Sequence, residues 1–144
     1  VSNASQYHEI YRRLSDAIAR DNASVMTELI DTDTFLAMLP GIEEPLSFTQ
    51  FLIELNRQRK MFSDFGHDVK VKDSIADDNR LGVSYSMVVT NDGPLANRDG
   101  RAIMPGTGKK IVVNSMDTLT FNSNNKIVHL VVVSDRMGTL KQLI

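Results

Sequence analysis

Hydrophobic residues recur at three- and four-residue steps in the first half of the chain and at every second position in the second half. From Ser5 to Asp21, Tyr7, Ile10, Tyr11, Leu14 and Ile18 form one stripe, with Arg12, Arg13, Asp16 and Arg20 on the other side. That pattern predicts an amphipathic helix. A short second helix is predicted over Ala23 to Ile30, with Asn22 as its N-cap. Asp31 to Thr34 turns into the apolar run Phe35 to Leu39, which Pro40-Gly41 ends. Ser47 can cap a third helix reaching about Ser63, with Phe48, Phe51, Leu52, Leu55 and Phe62 as its stripe.

The period then changes. Val69 and Val71 alternate with Lys70 and Lys72, and the strand ends near Ile75. After a turn at Asp77 to Arg80, Leu81, Val83, Tyr85, Met87 and Val89 alternate with small or polar residues. Asn91 to Arg101 reads as a polar loop and Met104 to Gly108 as a bend. From Lys109 to Asp135 two long strands flank the turn Asn122 to Asn125, where Asn tolerates positive φ. A two- or four-residue loop sets Phe121 opposite Lys126 and Asp117 opposite Leu130. Leu119, Val128, Leu130 and Val132 then share the face of Asp117. A three-residue loop would flip the second strand. That strand is apolar on both faces, so both are expected to be covered. The chain's own helices can cover one and a second copy the other, which predicts a homodimer through the outer sheet face. Met137 to Ile144 closes the chain as a short helix or tail. Helices first and an antiparallel meander after them make an α+β fold.

Composition narrows the function. The chain of 144 residues is long enough for one domain, 1–144, with a substantial core. Its net charge of −2, with signs mixed, gives no broad attraction to nucleic acid or a membrane surface. The absence of cysteine removes disulfides, thiolate metal sites and a cysteine nucleophile. No run reaches the roughly 18 apolar residues of a membrane span. With no leader visible, a cytoplasmic protein is expected. The start, Val1 to Ala4, lacks an initiator Met and reads as a tag remnant or disordered segment.

Several features invite a chemical reading. Asn56 to Lys60 (NRQRK) is basic, but five residues on one helix are better read as a solvated face than a nucleic-acid footprint. Gly106-Thr107-Gly108-Lys109 lacks the phosphate-loop pattern, because Ile103 and Lys110 stand where Gly and Ser or Thr are needed. His8, His67 and His129 share no ligand spacing, and no metal site is predicted. Asp73 reads as an exposed strand-end residue, with a pocket-mouth acid as the alternative. Asp117 is the last carboxylate to weigh. On an apolar face its charge is costly unless paired, and desolvation should raise its pKa. It is either a cavity acid or a structural carboxylate bonded to a neighbour such as Ser115. Tyr85, inward on a central strand, and Tyr11, on the first helix's stripe, could each present a phenol to a ligand. The plainer alternative is a core tyrosine with a bonded hydroxyl.

Ile103-Met104-Pro105-Gly106-Thr107-Gly108-Lys109-Lys110 resembles the bend "I-P-P-T-G-K/R" of the polyketide-cyclase-like (SnoaL-like) proteins. That group lies in the superfamily of ketosteroid isomerase, scytalone dehydratase and nuclear transport factor 2. The resemblance runs from about Tyr7 to Ile144, through Pro40-Gly41, Met116 to Phe121, Lys126 to Val128, Ser134 to Gly138 and Leu140 to Leu143. It implies a cone-shaped barrel, a curved antiparallel sheet wrapped around N-terminal helices (cystatin-like), with a deep apolar pocket, usually dimeric. It implies no metal or organic cofactor and an apolar small-molecule ligand. Phe35, Phe51, Met87 and Met104 set how far the cone is filled, and Tyr85, Tyr11, Leu119, Leu130, Val132 and Met104 are the implied ligand contacts.

Two departures bear on activity. The cyclases resemble one another in an acid on the last strand, within "E-H-W-D", where this chain has Val132. The isomerases carry a basic Asp before a Pro, where it has Leu39 before Pro40. What matches is Asp117, in Asp117-Thr118-Leu119-Thr120-Phe121, like the isomerases' "D-x-F-x-F" carboxylic acid that donates to a substrate oxyanion. An acid kept neutral by an apolar site is the known precedent. The resemblance therefore implies one of two functions. The first is a cofactor-free isomerase, cyclase or lyase acting on an apolar carbonyl compound, with Asp117 catalytic. The second is a non-catalytic dimeric module for ligand binding or protein association.

Overall fold

The computed structural model describes residues 3–144 and packs the stripe of Tyr7, Tyr11, Leu14 and Ala17 against a curved, open sheet. The first helix, α1, spans Ala4–Ala19, so Ala4, grouped by its sequence with the start of the chain, is helical. Val1 and Ser2 lie outside the described residues. The second helix, α2, spans Ala23–Leu29, and the Asn22 side chain accepts from the Val25 N–H as its cap. Helix α3, Phe48–Met61, opens on a capping box in which Ser47 and Gln50 satisfy each other's backbone N–H. None of the described helices is long and apolar enough to cross a membrane.

Five strands form the main sheet: β1 (Leu36–Met38), β2 (Asp68–Asp77), β3 (Arg80–Thr90), β6 (Lys110–Phe121) and β7 (Ile127–Ser134). Their order is β1-β7-β6-β3-β2. The apolar run before Pro40 is thus an edge strand, and it pairs with β7 in parallel, Ala37 facing Leu130. The expected antiparallel meander accounts for the other four strands. Two further strands pair with each other, β4 (Leu95–Ala96) inside the stretch expected as a polar loop and β5 (Ala102–Met104) just after it. Strands of two and three residues carry too short an alternation to be read from sequence.

Helix α4, Arg136–Leu143, is capped by Asp135. The pairs of β7 with β6 reach Ser115, and Gln142 bonds the N–H and C=O of Val112 beyond it, both at 2.7 Å. A side-chain amide thus supplies the bonds a longer strand would make.

The central hairpin differs from its predicted register. Phe121 faces Ile127 rather than Lys126, because five residues, with Asn125 at φ 58, separate the pair. Between Phe121 and Thr120 a bulge then leaves Val128 unpaired. Each irregularity adds one residue to the β7 side. Asp117 therefore faces Val132, not Leu130. Because two single-residue shifts restore parity, Leu130 and Val132 still share the face of Asp117.

The basic cluster on α3 is also not a solvated face. The side chains of Arg57 and Arg59 are only 23% and 17% exposed. Arg57 holds the buried Glu54 at 2.5 Å and donates to the Ala96 carbonyl at 2.7 Å. Arg59 donates to the Ile18 carbonyl at 2.8 Å, where α1 ends. Both cations act as ties between α3 and other parts of the chain.

Candidate functional site

The inner face of the sheet is sealed at both ends and partly open between them. At one end Leu81, Leu119, Phe121 and Leu130 join the main core with Phe35 and Phe51. At the other, Met61, Phe62, Met87, Val89 and Ile111 make a second cluster, joined by Leu143. Between the two, Tyr85, Val113, Ser115 and Val132 are only half-buried. The middle of the concave face is where these side chains stay partly exposed.

Asp117 adjoins them, two positions from Ser115 and opposite Val132. It is buried, with 9% of its surface exposed, and two phenols converge on it. Tyr11 donates to Oδ2 at 3.0 Å and Tyr85 to Oδ1 at 3.1 Å. The fold explains the convergence. Tyr85 is opposite Ser115, one diagonal step from Asp117, a distance an aromatic side chain can span. Tyr11 arrives from the helical layer. One turn before it, Tyr7 stacks on Phe121 with ring centroids 4.0 Å apart, which holds α1 against β6.

Burial raises the Asp117 carboxyl from 3.8 to about 6, and the bonds from Tyr11 and Tyr85 oppose that rise. Burial, and after it the charge of Asp117, pushes both phenols well above the ordinary tyrosine range. They remain neutral donors while Asp117 titrates. The result is one carboxyl with its midpoint raised to about 6, just below neutrality, held at both oxygens by donors that do not titrate with it.

Of the expected ligand contacts, Tyr11, Tyr85 and Val132 surround Asp117. Leu119 and Leu130, opposite each other, belong to the sealed main core. Met104 packs against the second cluster, with Leu95 and Val113. Two serines that the pattern did not single out for this role complete the polar surroundings. Ser15, one turn after Tyr11, and Ser115, opposite Tyr85, each pull the neighbouring phenol's pKa down, against the larger effect of burial. Their signal was available: Ser15 is i+4 from Tyr11, and Ser115 shares the parity of Asp117.

The remaining candidates lie elsewhere. Asp73 is exposed, opposite Ser84. His129 is exposed and pairs with Thr120, while His8 meets Ser74 and the Ala4 carbonyl, each at 2.6 Å. The bend at Gly108 is held by the fully buried Asn91, whose Oδ1 accepts from the Thr107 N–H and hydroxyl, both at 3.0 Å.

Comparison with known proteins bears on the family and the fold. The family model for SnoaL-like polyketide cyclases matches residues 8–143. No curated protein is similar enough in sequence to match. Among solved structures, a candidate SnoaL-like polyketide cyclase from Jannaschia sp. CCS1 superposes with a TM-score of 0.81 at 16% identity, over 96% of this chain and 92% of that one. IdmH, a candidate polyketide cyclase from Streptomyces antibioticus, gives 0.77 at 18% identity, over 96% and 98%. AclR, a candidate hydroxylase from Streptomyces galilaeus, gives 0.77 at 16%, over 96% and 85%. At these identities the structural likeness speaks for the fold.

Proposed function

The chain belongs to the SnoaL-like polyketide cyclase family, and from that premise we propose that it binds an apolar carbonyl compound and acts on it by cofactor-free acid–base chemistry. One observation carries the reading: two phenols meet on a single buried carboxyl beside the partly exposed middle of the concave face.

In the proposed reaction protonated Asp117 donates to the ligand's carbonyl oxygen. As solvent water takes the α-proton and an enolate oxyanion develops, the Asp117 proton moves to that oxygen and gives the enol. The carboxylate left behind keeps the hydrogen bonds of Tyr11 and Tyr85, which lowers the cost of giving the proton up. A positioned general acid contributes about 10²–10⁴-fold. The cyclases' acid on the last strand corresponds to Val132, which faces Asp117 across the ladder. Opposed residues carry their Cβ atoms about 5 Å apart. On this reading the acid has moved one strand over, on the same rung, and Val132 now helps to desolvate it.

The test begins with a thermal-shift panel of aromatic polyketides, steroids and phenolic acids. A ligand at a hundred times its dissociation constant adds about 2.7 kcal/mol. A hit is then assayed for turnover with the wild type and with Asp117→Asn. Loss of at least about a hundredfold in rate supports the reading. Unchanged affinity and unchanged turnover in the variant overturn it.

A second reading is favoured by the other side of the sheet. Met38, Val131, Thr118, Gly82 and Ile75 form one rung of the outer face. Met116 and Val133 lie opposite each other on the next rung, and both are at least half exposed. We propose that this face pairs with a second copy of the chain. The second reading makes that dimer a non-catalytic binding or association module. A ligand that binds at the Asp117 pocket and is recovered unchanged at every pH selects it.

A further inference from the structure

We propose that Ser134 positions a second, uncharged oxygen of the compound whose carbonyl reaches Asp117. The inference rests on the pocket reading above and narrows its substrate class. The ligand is then a carbonyl compound that also carries a hydroxyl or a further carbonyl, set off from the first by about one diagonal step of the sheet, roughly 7 Å.

The inner face can be followed rung by rung across β3, β6 and β7. Leu81, Leu119 and Leu130 form one rung. Val83, Asp117 and Val132 form the next, with one acid between two valines. Tyr85, Ser115 and Ser134 follow, and all three carry a hydroxyl. Met87 and Val113 then return the face to apolar residues. On these strands a rung of hydroxyls thus adjoins the acid, with apolar rungs to either side of the two. Two members of that rung are engaged at the carboxyl. Tyr85 donates to Asp117 at 3.1 Å, and Ser115 lowers the pKa of that phenol. The Ser134 hydroxyl has no hydrogen-bond partner among the described residues, although the residue is half-buried. A hydroxyl that is partly desolvated without a partner is costly, and it can serve a ligand as donor or acceptor.

The ladder fixes where that hydroxyl stands. The Asp135 N–H donates to the Asn114 carbonyl at 2.9 Å. That pair is hydrogen-bonded, so the adjacent Ser115–Ser134 pair is of the other kind, with Cα atoms about 4.5 Å apart and side chains close together. Asp117 faces Val132, which makes Ser134 its diagonal neighbour, about 7–8 Å away. A six-membered ring with a carbonyl on one side and an oxygen on the opposite side bridges such a diagonal. Val113 and Val132, both half-buried, offer apolar surface to that ring. The second group is an uncharged oxygen, because a serine hydroxyl brings no charge to offset an ion.

A matched pair of ketones tests the inference. Acetophenone carries one oxygen, and para-hydroxyacetophenone adds a hydroxyl across the ring from the carbonyl. Each is titrated calorimetrically, at mildly acidic pH where the phenol is neutral, into wild type, Ser134→Ala and Ser134→Thr. The quantity read is the ratio of the two affinities within each protein, which a uniform weakening does not move. Wild type should prefer the hydroxyketone about tenfold. Ser134→Ala should lose that preference, and Ser134→Thr, which keeps the hydroxyl, should retain it. Ser134 is the last residue of β7 and its hydroxyl bonds no other described residue, so both variants should fold, and a circular-dichroism melt checks that they do. No preference in wild type, or a preference that survives Ser134→Ala, overturns this inference and leaves the pocket reading standing. Failure of both ketones to bind wild type overturns the pocket reading, and this inference with it.

Discussion

At Asp117 burial and hydrogen bonding pull in opposite directions, and burial wins, leaving a carboxyl near 6. The sign of its effect on stability follows. The folded chain holds this proton more tightly than the unfolded chain, whose ordinary value is 3.8. Below 3.8 both states are protonated and there is no penalty. Stability is lost as pH rises from about 4 through about 6, and by pH 7 the loss attributable to Asp117 is about 3 kcal/mol. Urea unfolding from pH 3.5 to 8 should show that slope in wild type, and its removal in Asp117→Asn. A slope that persists unchanged in the variant would assign it to other groups. The same protonation governs the proposed reaction, whose rate should fall as pH rises through about 6. Replacing Tyr85 with Phe removes a donor to the carboxylate, so the Asp117 midpoint should move upward, as read by carboxyl-carbon NMR titration. The lost bond should also cost about 1 kcal/mol in a denaturant melt. The carboxyl itself was legible as an acid on an apolar face. That both phenols serve the same acid was not, because Tyr11 is on another element, and sequence does not give the crossing of α1 over β6.

Helix α3 illustrates what hydrophobic periodicity misses. Its cap and stripe follow from Ser47, Gln50 and the spacing of Phe48, Phe51 and Leu55. Its charges do not follow from any pattern, since the Ala96 and Ile18 carbonyls that receive Arg57 and Arg59 are backbone groups far away in sequence. Glu54, with a side chain only 8% exposed, is matched by Arg57. Arg57→Ala would leave a carboxylate buried without its cation and release the β4–β5 hairpin from α3. Such a break costs about 3–5 kcal/mol. Chemical denaturation would measure that loss, and limited proteolysis should cut first between 97 and 101. If the variant unfolds at the wild-type denaturant concentration, the tie contributes nothing.

Across the whole molecule the helices cover the inner face of the sheet, while apolar residues on the outer face meet solvent in the single chain. Met116 and Val133 are 50% and 63% exposed, and they adjoin Val131 and Ile75 on neighbouring positions of that face. Light scattering should report a dimer for wild type and a monomer for the Met116→Lys, Val133→Lys double variant, with helix and strand content retained. A wild-type monomer at micromolar concentration would discard this face as a self-association surface. The α+β architecture was readable because long alternating strands and a capped, striped helix are strong local signals. The parallel edge strand β1 was not, because pairing Ala37 with Leu130 joins segments whose adjacency no local pattern encodes.

The paired irregularities of the β6–β7 hairpin bear on how this sequence can change over time. One extra residue in the loop and one in the bulge cancel, so Val132 still meets Asp117 on the inner face. A lineage that gains or loses one residue at either place alone would turn Leu130 and Val132 outward and bring Val131 and Val133 inward. The whole strand would change sides, yet remain apolar on both. Length changes here should therefore be inherited in twos, with relatives that lack the bulge carrying the shorter loop. A single deletion at Ser123 should be recoverable in a selection by a second deletion at Val128.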